Sequence, residues 1–341
     1  MVFSGGVSLG SYQAGAFEAL QEDAGIAVGW IAGSSIGAIN GALIAGSAPD
    51  NRLKALKGYW LDGTSWNPQP FLGLSGGMRH AANWMSVFQA RLFGSPQHLK
   101  TVGPRFSFAS FYDLAPTVAY LHKVVDFGRL NSGETRFTVA TTDIETGDAV
   151  LFDTGKGDRI EMDHILASCG FLPEFAPVEI AGRLLGDGGL AMNAPVEPVL
   201  DEAEGKGGII FVVDLFARDG RRPTGLESAM ARKNSLLFGN QTFYRLEAYR
   251  RLWLRHAVDG PPPCIVYLSY LPVGEEAGAE MPFDFSRASA QDRWRAGLLD
   301  GRDAVGRIDH AQATATVVTT IRRAAGTMAE SPKVRCTRAF N

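Results

Sequence analysis

Two serines stand side by side in Gly33-Ser34-Ser35-Ile36-Gly37, and the glycine spacing separates them. Only Ser35 has glycine two residues away on both sides, giving G-x-S-x-G; Ser34 has Ala32 and Ile36 at that distance. A serine held on a sharp strand-to-helix turn needs near-absent side chains at those positions, or strand and helix cannot approach. Ser35 is therefore the candidate nucleophile, with Gly33 and Gly37 as the elbow glycines. Such a serine also needs a base and donors for an oxyanion. In "SGGVSLGSYQAG", residues 4–15, Gly5 and Gly6 leave backbone N–H groups unscreened, and a helix starting near Ser11 aims its positive end the same way. This is not a nucleotide loop: Gly10 is followed by Ser11-Tyr12 rather than G-K-[ST], and Val7 breaks G-x-G-x-x-G. The base candidate is Asp187 in "RLLGDGGLAMNAPV", although D-G-G by itself is a common turn signal.

The elements around Ser35 suit an elbow. Ile26, Val28, Trp30 and Ile31 supply an apolar strand, and Ile36, Ile39, Asn40, Leu43 and Ile44 repeat at helical spacing. Further strands are expected at 137–142, 149–152, 209–215 and 265–270, with helices at 11–21, 50–61 and 116–125. Alternation of strands and helices implies an α/β chain with a mainly parallel sheet covered on both faces. Residues 141–152 read as a hairpin around Glu145-Thr146-Gly147-Asp148. Residues 63–104 read as an irregular segment that nonetheless carries Trp66, Phe71, Trp84, Phe88 and Phe93. Those rings either pack over a sheet edge or form a cap and acyl pocket.

The 341 residues, 45% hydrophobic and 20% charged, describe a folded protein with room for a large core. A net charge of −3 and the lack of a long Lys/Arg run exclude a phosphate-tracking surface for nucleic acid. Cys169, Cys264 and Cys336 are odd in number and widely spaced, which argues against a disulfide framework and a zinc site and fits a reducing compartment. Residues 24–49 lack any charge, but their serines, Asn40 and glycines read as a buried strand and helix rather than a membrane span. From Arg218 to Val258, nine Lys/Arg stand against three acids, with Leu246, Tyr249, Leu252 and Trp253 at helical spacing. That helix either lies on anionic lipid or, the commoner case, packs its stripe on the domain with its charges in water. The chain opens on an apolar strand tail, Met1-Val2-Phe3, so natural residues can precede it.

The glycine-rich loop, G-x-S-x-G in the next strand–helix turn and D-G-G about 150 residues on resemble the patatin-like phospholipases. The resemblance covers residues 1–215, including "GSYQAGAFEAL" (10–20), "AGSSIGAINGALIAG" (32–46) and "ILASCGFLPEFAPVEIAGRLLGDGGLAMNAPVEP" (165–198). It implies a three-layer α/β/α catalytic domain over 1–215, with 62–112 as a cap insertion. Residues 216–341, with "FDFSRASAQDRWRAGLLDGRDA" at 283–304, resemble the extension of a bacterial subset and are expected to pack on the same domain. It also implies a serine lipid acyl hydrolase without metal or cofactor, acting on lipid or acyl-ester substrate, cytoplasmic, with peripheral membrane contact open to it.

In that reading Ser35 attacks the ester carbonyl, Asp187 takes its proton, and Gly5, Gly6 and Val7 N–H groups hold the oxyanion; Gly10, Gly188 and Gly189 are motif glycines. An ordinary aspartate, with a pKa of about 3.9, is a poor base at neutral pH, so burial must raise it. Where the family has G-G-G-x-[RK]-G, this chain has Val7, ill-suited to a positive φ, and Leu9 in place of a cation. Two rivals follow: a catalytically silent lipid-binding module, and an α/β-hydrolase triad with His256 or His310 as base.

Overall fold

The computed structural model describes residues 1–22, 26–62, 76–102, 110–203, 208–255, 263–272, 278–308 and 318–321. Its strands are β1 (Val2–Phe3), β2 (Trp30–Ser34), β3 (Lys100–Thr101), β4 (Tyr112–Asp113), β5 (Arg136–Asp143), β6 (Ala149–Asp153), β7 (Val178–Ile180), β8 (Arg183–Asp187), β9 (Ile209–Asp214), β10 (Cys264–Ser269) and β11 (Val318–Ile321). The helices are α1 (Ser11–Gln21), α2 (Ile36–Ala45), α3 (Arg52–Lys57), α4 (Gly76–Phe93), α5 (Ala115–Val124), α6 (Phe127–Leu130), α7 (Met162–Ser168), α8 (Glu197–Ala203), α9 (Leu226–Arg255) and α10 (Arg287–Arg307).

Alternation along the strands explains the layers. Val2, Ile210, Val212, Ile265 and Tyr267 point into one apolar cluster, whereas Phe3, Phe211, Val213, Val266 and Leu268 point into another. Successive strand residues face opposite sides, so the sheet has a core on each face. Leu200 of α8 and Leu246 of α9 close the first; Phe17 of α1, Leu43 of α2 and Trp294 of α10 close the second. The result is an α/β/α sandwich with strand order β11-β10-β9-β1-β2-β5-β8-β7, β6 also pairing with β5. The sheet is parallel from β11 to β5 and antiparallel where β6, β8 and β7 join.

β5 brings the two motif strands together. Its Ala140 pairs with Ser34 and the next residue, Thr141, with Asp187, both on the side of β5 opposite β6. The nucleophile candidate and the D-G-G turn thus emerge at the same end of the sheet, where open α/β sheets place their sites.

The 141–152 hairpin forms as expected. Two expectations change. The strand expected at 26–31 runs instead from Trp30 to Ser34, because residues 26–29 lie before the pairing with β5 begins. The segment read as irregular contains the 18-residue helix α4. Its buried face is Asn83, Ser86, Val87 and Ala90, a stripe of small and polar residues at helical spacing. Of the aromatic residues noted in that segment, Phe88 and Phe93 lie off that face.

Helix α10 meets α1 at backbone distance. A side chain at Gly15 would collide with the Trp294 carbonyl, and one at Gly297 with the Tyr12 carbonyl. Tyr12 Oη also donates to Asp300 at 2.9 Å.

Candidate active site

Ser35 caps α2 with φ 56° and ψ −125°, the strained turn expected of an elbow. The flanking glycines are required sterically: a Cβ at Gly33 would collide with the Gly37 backbone, and one at Gly37 with the Phe3 carbonyl. The Ser35 amide donates to Ser168 Oγ at 2.8 Å, and Ser168 Oγ donates to the Ala140 carbonyl at 2.6 Å. Ser34 is wholly buried, its hydroxyl lacking a partner among the described residues. Of the two serines, only Ser35 lines the open cleft.

Asp187 ends β8, lines the same cleft as Ser35, and accepts a hydrogen bond from Gly189 N–H at 2.6 Å. Burial pushes its carboxyl up to about 7, against the opposing pull of the nearby Ser35 hydroxyl and the Gly189 N–H. Its backbone is fixed on both sides, since Asp187 N–H donates to Gly170 O at 3.0 Å and Thr142 Oγ1 donates to Asp187 O at 2.7 Å. Gly188 packs against the Ala140 carbonyl and Ser34, where a side chain would collide.

The glycine-rich loop differs from expectation in two ways. Gly5 N–H donates to the Asn193 carbonyl at 3.0 Å and so is already engaged. Gly6 and Val7 N–H groups make no hydrogen bond among the described residues and border the same cleft as Ser35. Val7 does adopt the positive φ that its β-branch disfavours, at 51°. The surroundings hold it there: Leu9 N–H closes a turn on Gly6 O at 3.1 Å, and Ser8 Oγ donates to Met281 O at 3.2 Å. Arg293 of α10 is fully buried and donates to Ser8 Oγ at 2.8 Å, to Asp284 O at 2.9 Å and to Met281 O at 3.1 Å. A cation from the far end of the chain thus braces the loop that Leu9 leaves without one. Gly10 lies against Ile36 and Trp60, with no room for a side chain.

Ser35 and Val7 border two cavities. The larger, about 340 Å³, opens between the glycine-rich loop, the 171–175 turn and α9. The smaller, about 30 Å³, is an apolar recess behind Ser35, bounded by Ile39, Tyr59, Leu99, Phe175 and Phe285. His98 borders this recess too; burial drives its imidazole down to about 3, and Nδ1 is hydrogen bonded to Ser95 at 3.0 Å. No hydrogen bond links His98 to Ser35 or Asp187.

A patatin-like phospholipase model matches residues 1–200 of this sequence. The chain belongs to that family. Among solved structures, VipD from Legionella pneumophila aligns over 89% of this chain with 12% sequence identity and a TM-score of 0.42. The chain spans 66% of the VipD chain. No curated protein sequence matches it.

For a patatin-like phospholipase the cap residues fall differently than expected. Trp66 and Phe71 lie outside the described residues, as do His256 and His310 of the rival triad. Phe88 and Phe93 are 58% and 69% exposed and border neither cavity at Ser35, so they do not wall an acyl recess there. Trp84 packs on the cluster of Val87, Tyr112, Phe175 and Phe283 at one remove from the cleft. Recess residues such as Tyr59, Leu99 and Phe285 escaped sequence reasoning because ordinary apolar residues carry no positional signal. Ser168 and Asn193 stood inside the quoted motif segments without an assigned role; Arg293 had no local signal at all. Among the described residues no group of His, Cys, Asp and Glu could hold a metal ion, and no helix is long and apolar enough to cross a membrane.

Proposed function

We propose that this protein hydrolyses carboxylic esters of lipids through a Ser35–Asp187 dyad. Ser35 Oγ attacks the ester carbonyl carbon as its proton passes to Asp187, and the carbonyl oxygen becomes an oxyanion held by Gly6 and Val7 N–H. Collapse breaks the ester bond; the departing alcohol takes the proton from Asp187 and leaves an acyl-Ser35. Water, deprotonated by Asp187, then releases the fatty acid and returns the proton to Ser35. The observation that supports this reading best is a strained elbow serine sharing one cleft with a buried carboxylate titrating near 7. A base with that pKa is matched to neutral pH, where general base catalysis contributes roughly 10²–10⁴-fold.

The domain reading is the same: residues 1–215 carry the dyad, and the later segment braces it through α10. Peripheral lipid contact belongs at the mouth of the cleft. Met230 and Leu237 of α9 line the cleft yet are 44% and 57% exposed, and Leu226 and Tyr244 continue the same exposed face. The deciding experiment is hydrolysis of short and long acyl esters by wild type and Ser35→Ala. Turnover lost in Ser35→Ala sustains the dyad; turnover that survives removes it. Lipid binding with no turnover in wild type leaves a silent lipid-binding module.

A further inference from the structure

Two charges in the cleft at Ser35 have opposite signs and no ion-pair partner among the described residues. Lys233 of α9 lines the cleft and makes no ion pair among the described residues. Glu174, in the 171–175 turn, also lines it, and its Oε2 is buried without a hydrogen-bond partner among those residues. The neighbouring Arg91 and Glu280 neutralise each other at 2.7 Å, with the guanidinium 3.5 Å from the centre of the Phe283 ring. A buried carboxylate oxygen without a donor is costly, and such an atom at a cleft wall calls for a partner supplied from outside.

The cleft volume of about 340 Å³ lies within the ~300–1,000 Å³ usual for small-molecule sites. Phe171 and Phe175 flank Glu174 in sequence, and both line the same cleft. An acid in a cleft that aromatic rings also line suits an ammonium group, above all a quaternary one, through ion pairing and cation–π attraction. An ammonium on Glu174 and an anion on Lys233, in a cleft that also holds Ser35, describe one ligand class.

We propose that this cleft selects the head group of a zwitterionic phospholipid, with the phosphate on Lys233 and the ammonium on Glu174. The inference rests on the reading of Ser35 as the residue that meets the ester. A head group with phosphate alone satisfies Lys233 and leaves Glu174 bare. A neutral diacylglycerol satisfies neither. Selection therefore follows charge pattern.

The test uses binding, so that it does not depend on turnover. Ser35→Ala protein is titrated calorimetrically with dihexanoyl phosphatidylcholine, phosphatidylethanolamine and phosphatidylglycerol, each below its micelle concentration, and with dihexanoylglycerol. Both zwitterions should bind about tenfold more tightly than phosphatidylglycerol, and phosphatidylglycerol about tenfold more tightly than dihexanoylglycerol, each step the effect of one charge-assisted contact. Choline ahead of ethanolamine identifies the aromatic contact, and the reverse order identifies an N–H hydrogen bond; either order supports the proposal. Glu174→Gln should bring the zwitterions down to the phosphatidylglycerol level. Lys233→Met, at an exposed position that does not threaten folding, should weaken all three phospholipids and bring them toward dihexanoylglycerol. Equal affinity for the four lipids, or a choline preference untouched by both substitutions, overturns it. A wild type without Ser35-dependent hydrolysis whose cleft still prefers zwitterions would overturn the hydrolase reading and leave this one standing.

Discussion

The Ser35 amide and the Ser168 hydroxyl are joined by a 2.8 Å hydrogen bond, which continues from Ser168 to the Ala140 carbonyl at 2.6 Å. The end of α7 therefore ties the strained elbow to β5, the strand that also carries Asp187 in register. A non-glycine residue in such a conformation costs about 1–3 kcal/mol and persists only when its surroundings over-determine it. Ser168→Ala leaves a buried donor and a buried acceptor unpaired, at roughly 1–3 kcal/mol of stability. It should also slow both kcat and fluorophosphonate labelling of Ser35 by about tenfold or more, with KM little changed. Denaturant melts and labelling rates check the two halves. Full-speed labelling would reduce Ser168 to ordinary packing.

Asp187 sets a pH dependence in two opposite senses. As a base with a pKa of about 7, it should give a kcat/KM that rises with pH through neutrality and levels off above it. As a folded-state carboxyl raised above its unfolded value near 3.9, it leaves the folded state holding more protons between those limits. Its contribution therefore favours folding most below about pH 4 and is lost as pH climbs through 7, by roughly 4 kcal/mol at most. Asp187→Asn should accordingly abolish turnover yet melt at a higher temperature than wild type at pH 8. Calorimetry at pH 8 and a pH–rate profile give the answer; a variant that loses stability there contradicts the burial argument.

Fluorophosphonate should label Ser35 and not Ser34, because the Ser34 side chain is buried behind the turn against Gly188. Peptide mapping of the adduct decides it. An adduct on Ser34, or one that forms in Ser35→Ala, would reverse the assignment.

Arg293 braces the loop whose Gly6 and Val7 amides face the cleft. Arg293→Lys keeps the charge but loses the planar fork that reaches Ser8, Asp284 and Met281 together. The expected outcome is a folded protein with kcat lowered about tenfold to a hundredfold, short of the roughly 10²–10³-fold cost of removing an oxyanion donor outright. Unchanged kcat in the folded variant would separate the brace from catalysis.

The small recess behind Ser35, rather than the exposed rings of α4, should set acyl-chain length. Leu99→Phe, which narrows the recess, is expected to shift preference toward shorter soluble esters at about 1–3 kcal/mol of overpacking strain. Phe88→Ala should leave that profile as it was. Chain-length series with both variants distinguish the two locations.

The site core was legible because its geometry is local. G-x-S-x-G fixes a turn through two glycines, and strand–turn–helix periodicity shows on either side of Ser35. Asp187 was legible only through the family pattern, since nothing in the residues themselves announces that β5 will pair with Ser34 and with Asp187 at adjacent positions. The Gly5 amide was misassigned for a similar reason: its acceptor, the Asn193 carbonyl, lies 188 residues downstream. Helix α4 was missed because its buried stripe is Asn83, Ser86, Val87 and Ala90, while hydrophobic periodicity is tuned to large apolar side chains.

The gap-free contact between α1 and α10 has a consequence for timing. Ribosomes deliver Ser35 and Asp187 long before Arg293, and the glycine face at Gly15 waits for Gly297. Until about residue 300 has emerged, the loop beside Ser35 lacks the guanidinium that holds Ser8, and α1 lacks its cover. In the reading proposed above, a growing chain would carry both halves of the dyad while lacking the brace for its anion-binding loop. Activity would then switch on only once α10 has emerged and docked on α1.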